Sequence, residues 1–287
     1  MTLRQISKQY MNRLSGSYSR SEVDAIIFLA AEKILRKKKT ELMLLNDSEI
    51  SSDNSSILLQ TLDRLELHEP LQYILSEADF AGMKLSVNKN VLIPRPETEE
   101  LFYWLIESCR ELVMNKPKMR ILDIGTGSGC LAIGIKKKFP LAEVLGADIS
   151  VSALEVARLN ARTNHVEVEF LQHDILSGNS LNNSFDVIVS NPPYIKKSEQ
   201  STMHDNVFAY EPHLALFVDD DDDLLFYKII GEFSRKHLSS NGLLFFEIPA
   251  DSGNRIQQLL IDMNFREVEI RKDLQGKNRM IRCRLNI

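Results

Sequence analysis

The residues whose types can do chemistry fall in a pair of short stretches. One is Asn191-Pro192-Pro193-Tyr194, which follows the apolar run Phe185-Asp186-Val187-Ile188-Val189-Ser190. That run is short, β-branched and ended by a proline pair, so it reads as a buried strand that stops abruptly. Pro192 and Pro193 fix their own φ and restrict the residue before each, which stiffens the backbone after the strand. Asn191 supplies an amide with donors and an acceptor, Pro192 a carbonyl without an N–H, and Tyr194 an aromatic face. A loop so built can grip a planar amide or amine nitrogen and aim it. An ordinary proline-rich turn is the alternative reading.

The other stretch, Ile121-Leu122-Asp123-Ile124-Gly125-Thr126-Gly127-Ser128-Gly129-Cys130, reads as a strand, a glycine loop and a helix start. Glycines let a backbone adopt positive φ and come close to a ligand. The dinucleotide pattern would put its third glycine where Cys130 stands, so a nicotinamide cofactor fits poorly. Gly125-x-Gly127-x-Gly129 instead suits a ligand without a pyrophosphate. Asp148 closes the next strand, placed to accept both hydroxyls of a ribose. Ser150 and Ser152 nearby make a helix N-cap the competing role. Asp174 ends the third strand and could accept from an adenine amino group, with an N-cap again as the alternative.

These stretches need a frame to hold them. From Met119 onward strands and helices alternate. Strands are predicted at 120–124, 143–147, 167–172, 185–190 and 242–247, and helices at 130–138, 153–163, 224–238 and 254–263. Closing strands follow at 267–271 and 279–285. Such alternation implies an α/β doubly wound, mostly parallel sheet, with the closing strands antiparallel because only a short turn joins them. Upstream, residues 1 to about 78 read as helical, with a capping start at Ser21-Glu22-Val23-Asp24 and Val23, Ile26, Ile27, Ala30, Ala31 and Ile34 on one face. The polar stretch 46–56 reads as a loop. A hairpin is expected from 80–87 and 91–93 around Asn88-Lys89-Asn90, then a helix beginning at Glu97 or Thr98. Trp104 is assigned to packing. The layout is a helical bundle domain at 1–78, a hairpin linker at 79–96 and an α/β domain at 97–287.

Bulk properties narrow the classes. The 287 residues carry a net charge of −5, which argues against a protein that coats duplex nucleic acid. The three cysteines are scattered and the six histidines show no ligand spacing, so neither disulfides nor a metal is expected. The acidic run Asp219 to Asp223 lacks the alternation of a calcium loop and reads as solvated. Without an apolar leader at the start or a run of membrane-spanning length, the chain is expected to be soluble and cytoplasmic.

The glycine loop with Asp148 resembles the class I S-adenosylmethionine-dependent methyltransferases, and Asn-Pro-Pro-Tyr narrows this to enzymes that methylate planar nitrogens. Further stretches narrow it again: His68-Glu69-Pro70-Leu71-Gln72-Tyr73-Ile74-Leu75, Phe80-Ala81-Gly82, Val91-Leu92-Ile93-Pro94-Arg95-Pro96-Glu97-Thr98-Glu99, Tyr210-Glu211-Pro212 and Asp273-Leu274-x-Gly276-x-x-Arg279. Together with the helical N-terminal domain they are similar, over nearly the full length, to the HemK-type (PrmC-type) release factor glutamine methyltransferases. Ser76, Asp223, Pro249 and Ser252 depart from that family's usual residues, in loops.

The resemblance implies a Rossmann-like seven-stranded sheet behind a small helical bundle that recognises substrate. It implies S-adenosylmethionine as donor, bound by Asp123, Gly125, Thr126, Gly127, Ser128, Gly129, Asp148, Ile149, Asp174 and Asn191, and S-adenosylhomocysteine as product. The substrate it implies is the glutamine of the Gly-Gly-Gln loop of class 1 peptide chain release factors, held by Asn191, Pro192, Pro193, Tyr194, Arg95 and Glu97. Arg95 and Glu97 bridge toward the helical domain or form a structural ion pair. Asn191, Pro192 and Tyr194 are the expected catalytic group. The Asn191 oxygen and Pro192 carbonyl would accept the amide N–H bonds while Tyr194 stacks on the amide plane. Neither stable DNA binding nor a membrane is expected. The rivals are an adenine-N6 DNA methyltransferase, a ribosomal-protein glutamine methyltransferase and a silent adaptor.

Overall fold

A computed structural model of the chain describes residues 1–179, 181, 183–202 and 205–285. Its helices are α1 (Leu3–Leu14), α2 (Arg20–Leu35), α3 (Lys39–Leu44), α4 (Ser52–Glu66), α5 (Leu71–Leu75), α6 (Pro96–Ser108), α7 (Arg110–Asn115), α8 (Cys130–Lys138), α9 (Val151–Thr163), α10 (Asp205–Tyr210), α11 (Leu225–His237) and α12 (Gly253–Asp262). Its strands are β1 (Ala78–Phe80), β2 (Met83–Leu85), β3 (Arg120–Ile124), β4 (Glu143–Asp148), β5 (Glu169–Gln172), β6 (Phe185–Ser190), β7 (Ile195–Lys196), β8 (Phe217–Val218), β9 (Leu238–Glu247), β10 (Phe265–Lys272) and β11 (Asn278–Leu285). Among the described residues no helix is long and apolar enough to cross a membrane.

The chain forms two compact units. Met1–Glu77 and α10 belong to the first. Its core is a set of helical faces: Ile6, Tyr10 and Leu14 from α1, Val23, Ile27 and Ala30 from α2, and Leu58, Leu62 and Leu65 from α4. Tyr10 is wholly buried, and its hydroxyl finds the partner such a group needs by donating to Leu58 O at 2.6 Å. The cap of α2 lies earlier than the sequence suggests: Ser19 accepts from the Glu22 N–H, and the Glu22 carboxylate accepts from the Ser19 N–H. Ser19 and Ser21 both stand before the apolar face, and only Ser19 has a glutamate three places on. The polar stretch 46–56 is likewise not all loop. Ser51 caps α4 by accepting from the Asn54 N–H, so serines read as breakers instead start a helix.

The second unit begins with the hairpin β1–β2, whose strands are shorter and earlier than expected. Phe80 pairs with Met83 across Ala81-Gly82, both at positive φ (48° and 77°). That is the two-residue turn whose twist suits a hairpin. Asn88 does turn the chain, accepting from the Asn90 N–H on its side chain, but no ladder flanks it. The main sheet has seven strands in the order β10-β11-β9-β6-β3-β4-β5. Its pairs are parallel except β10–β11 and β11–β9. Alternate residues feed opposite faces: Ile121, Val187, Val189 and Phe245 join one core cluster, Leu122, Ile188, Leu244 and Phe246 the other. A sheet buried on both faces needs such apolar runs, which is why its strands were legible. Trp104 lies in the first cluster, edge-on to Phe245 at 5.7 Å.

Candidate active site

β3 and β6 are parallel neighbours with Ile124 opposite Ser190, and the Ser190 hydroxyl donates to Ile124 O at 2.7 Å. The glycine loop after β3 and the Asn191 corner after β6 therefore leave the sheet at the same level. An added Cβ on Gly125 would lie 4.0 Å from Asn191 O. β3 is also where strand order reverses, with β4 and β5 on one side and β6 and β9 on the other. Crevices at the carboxyl ends of strands at such a point are where α/β sheets hold ligands. Here a cavity of about 200 Å³ is lined by Asp123, Gly125, Thr126, Gly127, Ser128, Asp148, Ile149, Asp174, Asn191, Pro192 and Pro193, joined by Leu92, Pro94 and Thr98.

Gly125 and Gly127 take positive φ (73° and 54°), as a loop that turns its backbone toward a ligand requires. Gly129 is left-handed too (φ 81°), and there packing also excludes a side chain: a Cβ would come within 2.9 Å of Ile133 Cδ1 and 3.2 Å of Ala157 Cβ, bringing α8 and α9 into conflict. Asp148 accepts the Gly127 N–H on one oxygen and the Ser150 N–H on the other, both at 2.9 Å, and burial raises its pKa. The cap of α9 itself is Ser150, so the N-cap alternative for Asp148 fails. Asp174 does cap, accepting the Leu176 N–H at 2.9 Å while lining the cavity. Asp123 is 1% exposed. Its Oδ2 accepts from Thr126 Oγ1 at 2.6 Å and the Ala132 N–H at 3.2 Å, whereas Oδ1 is buried with no partner. Burial pushes its pKa up to about 7.

Around Asn191 the structure assembles residues that sequence reasoning did not connect. Asn191 Nδ2 donates to Thr98 Oγ1 at 3.1 Å, and Thr98 Oγ1 donates to Glu247 Oε2 at 2.6 Å. Glu247 Oε1 accepts from the Tyr194 hydroxyl at 3.3 Å, and the Tyr194 ring packs against the second core cluster. Thr98 reads in sequence as a helix start and Glu247 as the end of a strand. The available signal was a carboxylate closing an apolar strand at the sheet's carboxyl edge. Arg95 pairs with Glu211 at 2.5 Å, so the ion-pair alternative is realised for that residue. Glu97 adds negative charge near Glu247. The acidic run is solvated over Asp219 to Asp222, all exposed, with Asp219 paired to Lys197 and Asp220 accepting from the Ser198 N–H. Asp223 departs from this, partly buried and bound to both Lys196 and Arg255.

Comparison with known proteins gives this geometry a lineage. The family model described as PrmC N-terminal domain matches residues 5–75, and that described as Methyltransferase small domain matches residues 109–214. A methyltransferase from Pyrococcus furiosus shares the fold, with a TM-score of 0.51 at 17% identity over 83% of this chain and 100% of that one. The release factor glutamine methyltransferase of Bacteroides thetaiotaomicron is 37% identical over 97% of this chain and 99% of its own length. That of Flavobacterium psychrophilum is 42% identical over 98% of this chain and 99% of its own. Identity of that order, sustained from one end to the other, means that the chain belongs to the release factor glutamine methyltransferase family.

Proposed function

We propose that the chain transfers the methyl group of S-adenosylmethionine to the side-chain amide nitrogen (N5) of the glutamine in the Gly-Gly-Gln loop of class 1 peptide chain release factors, leaving S-adenosylhomocysteine. One observation carries the reading. The glycine loop and the Asn191 corner leave neighbouring parallel strands at one level and line one cavity. The residues present fit the donor. Asp123 Oδ1, buried and unpartnered in the wall, suits an ammonium group. Each Asp148 oxygen keeps a lone pair beyond the backbone N–H it accepts, which suits ribose hydroxyls. Ile149, 43% exposed at the cavity, offers an apolar face to a base, with Asp174 beside it.

The donor supplies a methyl group already activated by a sulfonium, so the chain's own task is alignment. Asn191 Oδ1 and the Pro192 carbonyl accept the amide N–H bonds of the glutamine, and Tyr194 backs the amide plane. An amide nitrogen is a poor nucleophile because its lone pair is delocalised. Holding it in line with the methyl carbon is worth up to roughly 7–11 kcal/mol. The layout of this reading is recognition of the substrate by residues 1–78, a linker at 79–96 and transfer by 97–287, in the cytoplasm. The test incubates the protein with labelled donor and release factor, release factor lacking that glutamine, or DNA. Label should enter only intact release factor, and Asn191→Ala should lower kcat by on the order of 10²–10³. Label in DNA or in the substituted factor would refute the proposal.

A further inference from the structure

Alignment of the glutamine requires one end of the Asn191 side chain and not the other. The oxygen can accept a substrate N–H, whereas the NH2 end would meet it donor to donor. The two ends have nearly the same shape, and the terminal torsion of asparagine is broad and roughly two-fold. Nothing within Asn191 itself therefore selects the productive orientation.

The selection comes from behind. Thr98 Oγ1 carries a single proton, and at 2.6 Å from Glu247 Oε2 that proton is donated toward the carboxylate. Toward Asn191 the hydroxyl can then only accept, so the group facing it at 3.1 Å is the NH2 end. We infer that Thr98 and Glu247 are positioning residues: they fix the Asn191 amide with its nitrogen toward α6 and so present its oxygen to the substrate, an inference that rests on the methyl-transfer reading above. Thr98 is 3% and Glu247 2% exposed, so water cannot stand in for either. The same carboxylate takes the Tyr194 hydroxyl and so places the aromatic residue of the corner as well. The Glu247 backbone carbonyl is held by the Tyr227 hydroxyl at 3.1 Å. One carboxylate at the end of β9 thus sets both polar ends of Asn-Pro-Pro-Tyr.

The arrangement has a polarity, and protonation reverses it. A protonated Glu247 donates to Thr98, whose own proton then turns to Asn191 and attracts the oxygen, so the amide swings its wrong end to the substrate. The groups facing Glu247 are Thr98 and Glu97 of α6, the Cys130 thiol of α8, Tyr194 of the corner, Tyr227 of α11 and Arg279 of β11. Burial pushes the Glu247 pKa up to about 7, with the Thr98 hydrogen bond and Arg279 opposing and Glu97 assisting.

The experiment compares wild type, Thr98→Val and Thr98→Ser for kcat on release factor between pH 6 and 8, and for donor affinity by calorimetry. Wild-type kcat should rise with pH through neutrality. Thr98→Val, of the same shape without the hydroxyl, should bind donor like wild type. It should lose about 10²-fold in kcat, as misplacement of a reacting group does, and should also lose the neutral pH limb. Thr98→Ser should recover most of both. The inference is overturned if Thr98→Val turns over at the wild-type rate, if its donor affinity falls in step with kcat, if the limb survives, or if Thr98→Ser is as impaired as Thr98→Val. A wild-type protein that never labels release factor would sink the methyl-transfer reading instead, so the failures are told apart.

Discussion

At the scale of single residues, a carboxylate in this protein is defined by what it is denied. Glu211 is 4% exposed, and burial raises its pKa. Its Oε1 receives the Arg95 guanidinium at 2.5 Å, while Oε2 is buried without a partner. Removing Arg95 would leave that charge unpaired, which typically costs about 3–5 kcal/mol. Arg95→Ala should therefore lose about 3 kcal/mol in urea denaturation at pH 8. The loss should shrink at pH 5.5, where Glu211 can take up a proton instead. Equal losses at both pH values would show that the pair is not what Arg95 contributes. Legibility at this scale followed chemistry that local spacing reveals. Gly125, Gly127, Asp148 and Asn191 are visible in sequence because each sits at or just past a predicted strand end, among glycines or prolines, and the structure brings all four to one cavity. Thr98 and Glu247 were not visible. Their meaning is a hydrogen bond between residues 149 positions apart, and no local pattern encodes it.

At the scale of elements, the chain was read well where a period repeats and poorly where it does not. The predicted strands at 120–124 and 185–190 and the helix at 130–138 match β3, β6 and α8, because buried strands and an amphipathic helix impose runs long enough to recognise. The stretch 195–223 holds β7 and β8, two residues each, fastened by Lys196–Asp223 and Lys197–Asp219. Two-residue strands have no period, so this clasp after the Asn191 corner is legible only in three dimensions. Arg255 holds the Asp223 pKa down to about 2. The end of α5 makes a sharper case. Ser76 terminates it in the left-handed region, φ 53°, where glycine is the usual choice. An L-residue there bears roughly 1–2 kcal/mol of steric cost, against a glycine entropy cost of roughly 0.5–1 kcal/mol. Ser76→Gly should consequently stabilise the helical unit by about 0.5–1 kcal/mol in urea denaturation followed by far-UV circular dichroism. A neutral or destabilising result would mean that the Ser76 side chain itself holds the turn.

At the scale of the whole molecule, the catalytic unit keeps two carboxylates, Asp123 and Glu247, where burial pushes the pKa up to about 7. The same burial lets a ligand matter most. In the unfolded chain these groups titrate near 4, so between pH 4 and 7 the folded state holds protons that the unfolded state has released. The sign follows: this contribution to stability is fully present below the unfolded pKa values and is lost as pH rises through about 7. Each group loses about one pKa unit's worth between pH 6 and 8, roughly 1.4 kcal/mol apiece. His173, whose pKa burial lowers, works in the opposite direction only below its unfolded value of 6.5. The chain has one tryptophan, Trp104, buried in the core of this unit, so its fluorescence reports unfolding here and not in the helical unit. Without donor, stability read from Trp104 should fall by about 3 kcal/mol from pH 6 to 8 through these two groups. Saturating S-adenosylmethionine should remove about half of that slope, because an ammonium beside Asp123 favours its ionised form. Glu247→Gln should remove the other half. A slope that the donor leaves untouched would mean that Asp123 does not face the donor's positive charge, and the orphaned oxygen in the cavity wall would need another occupant.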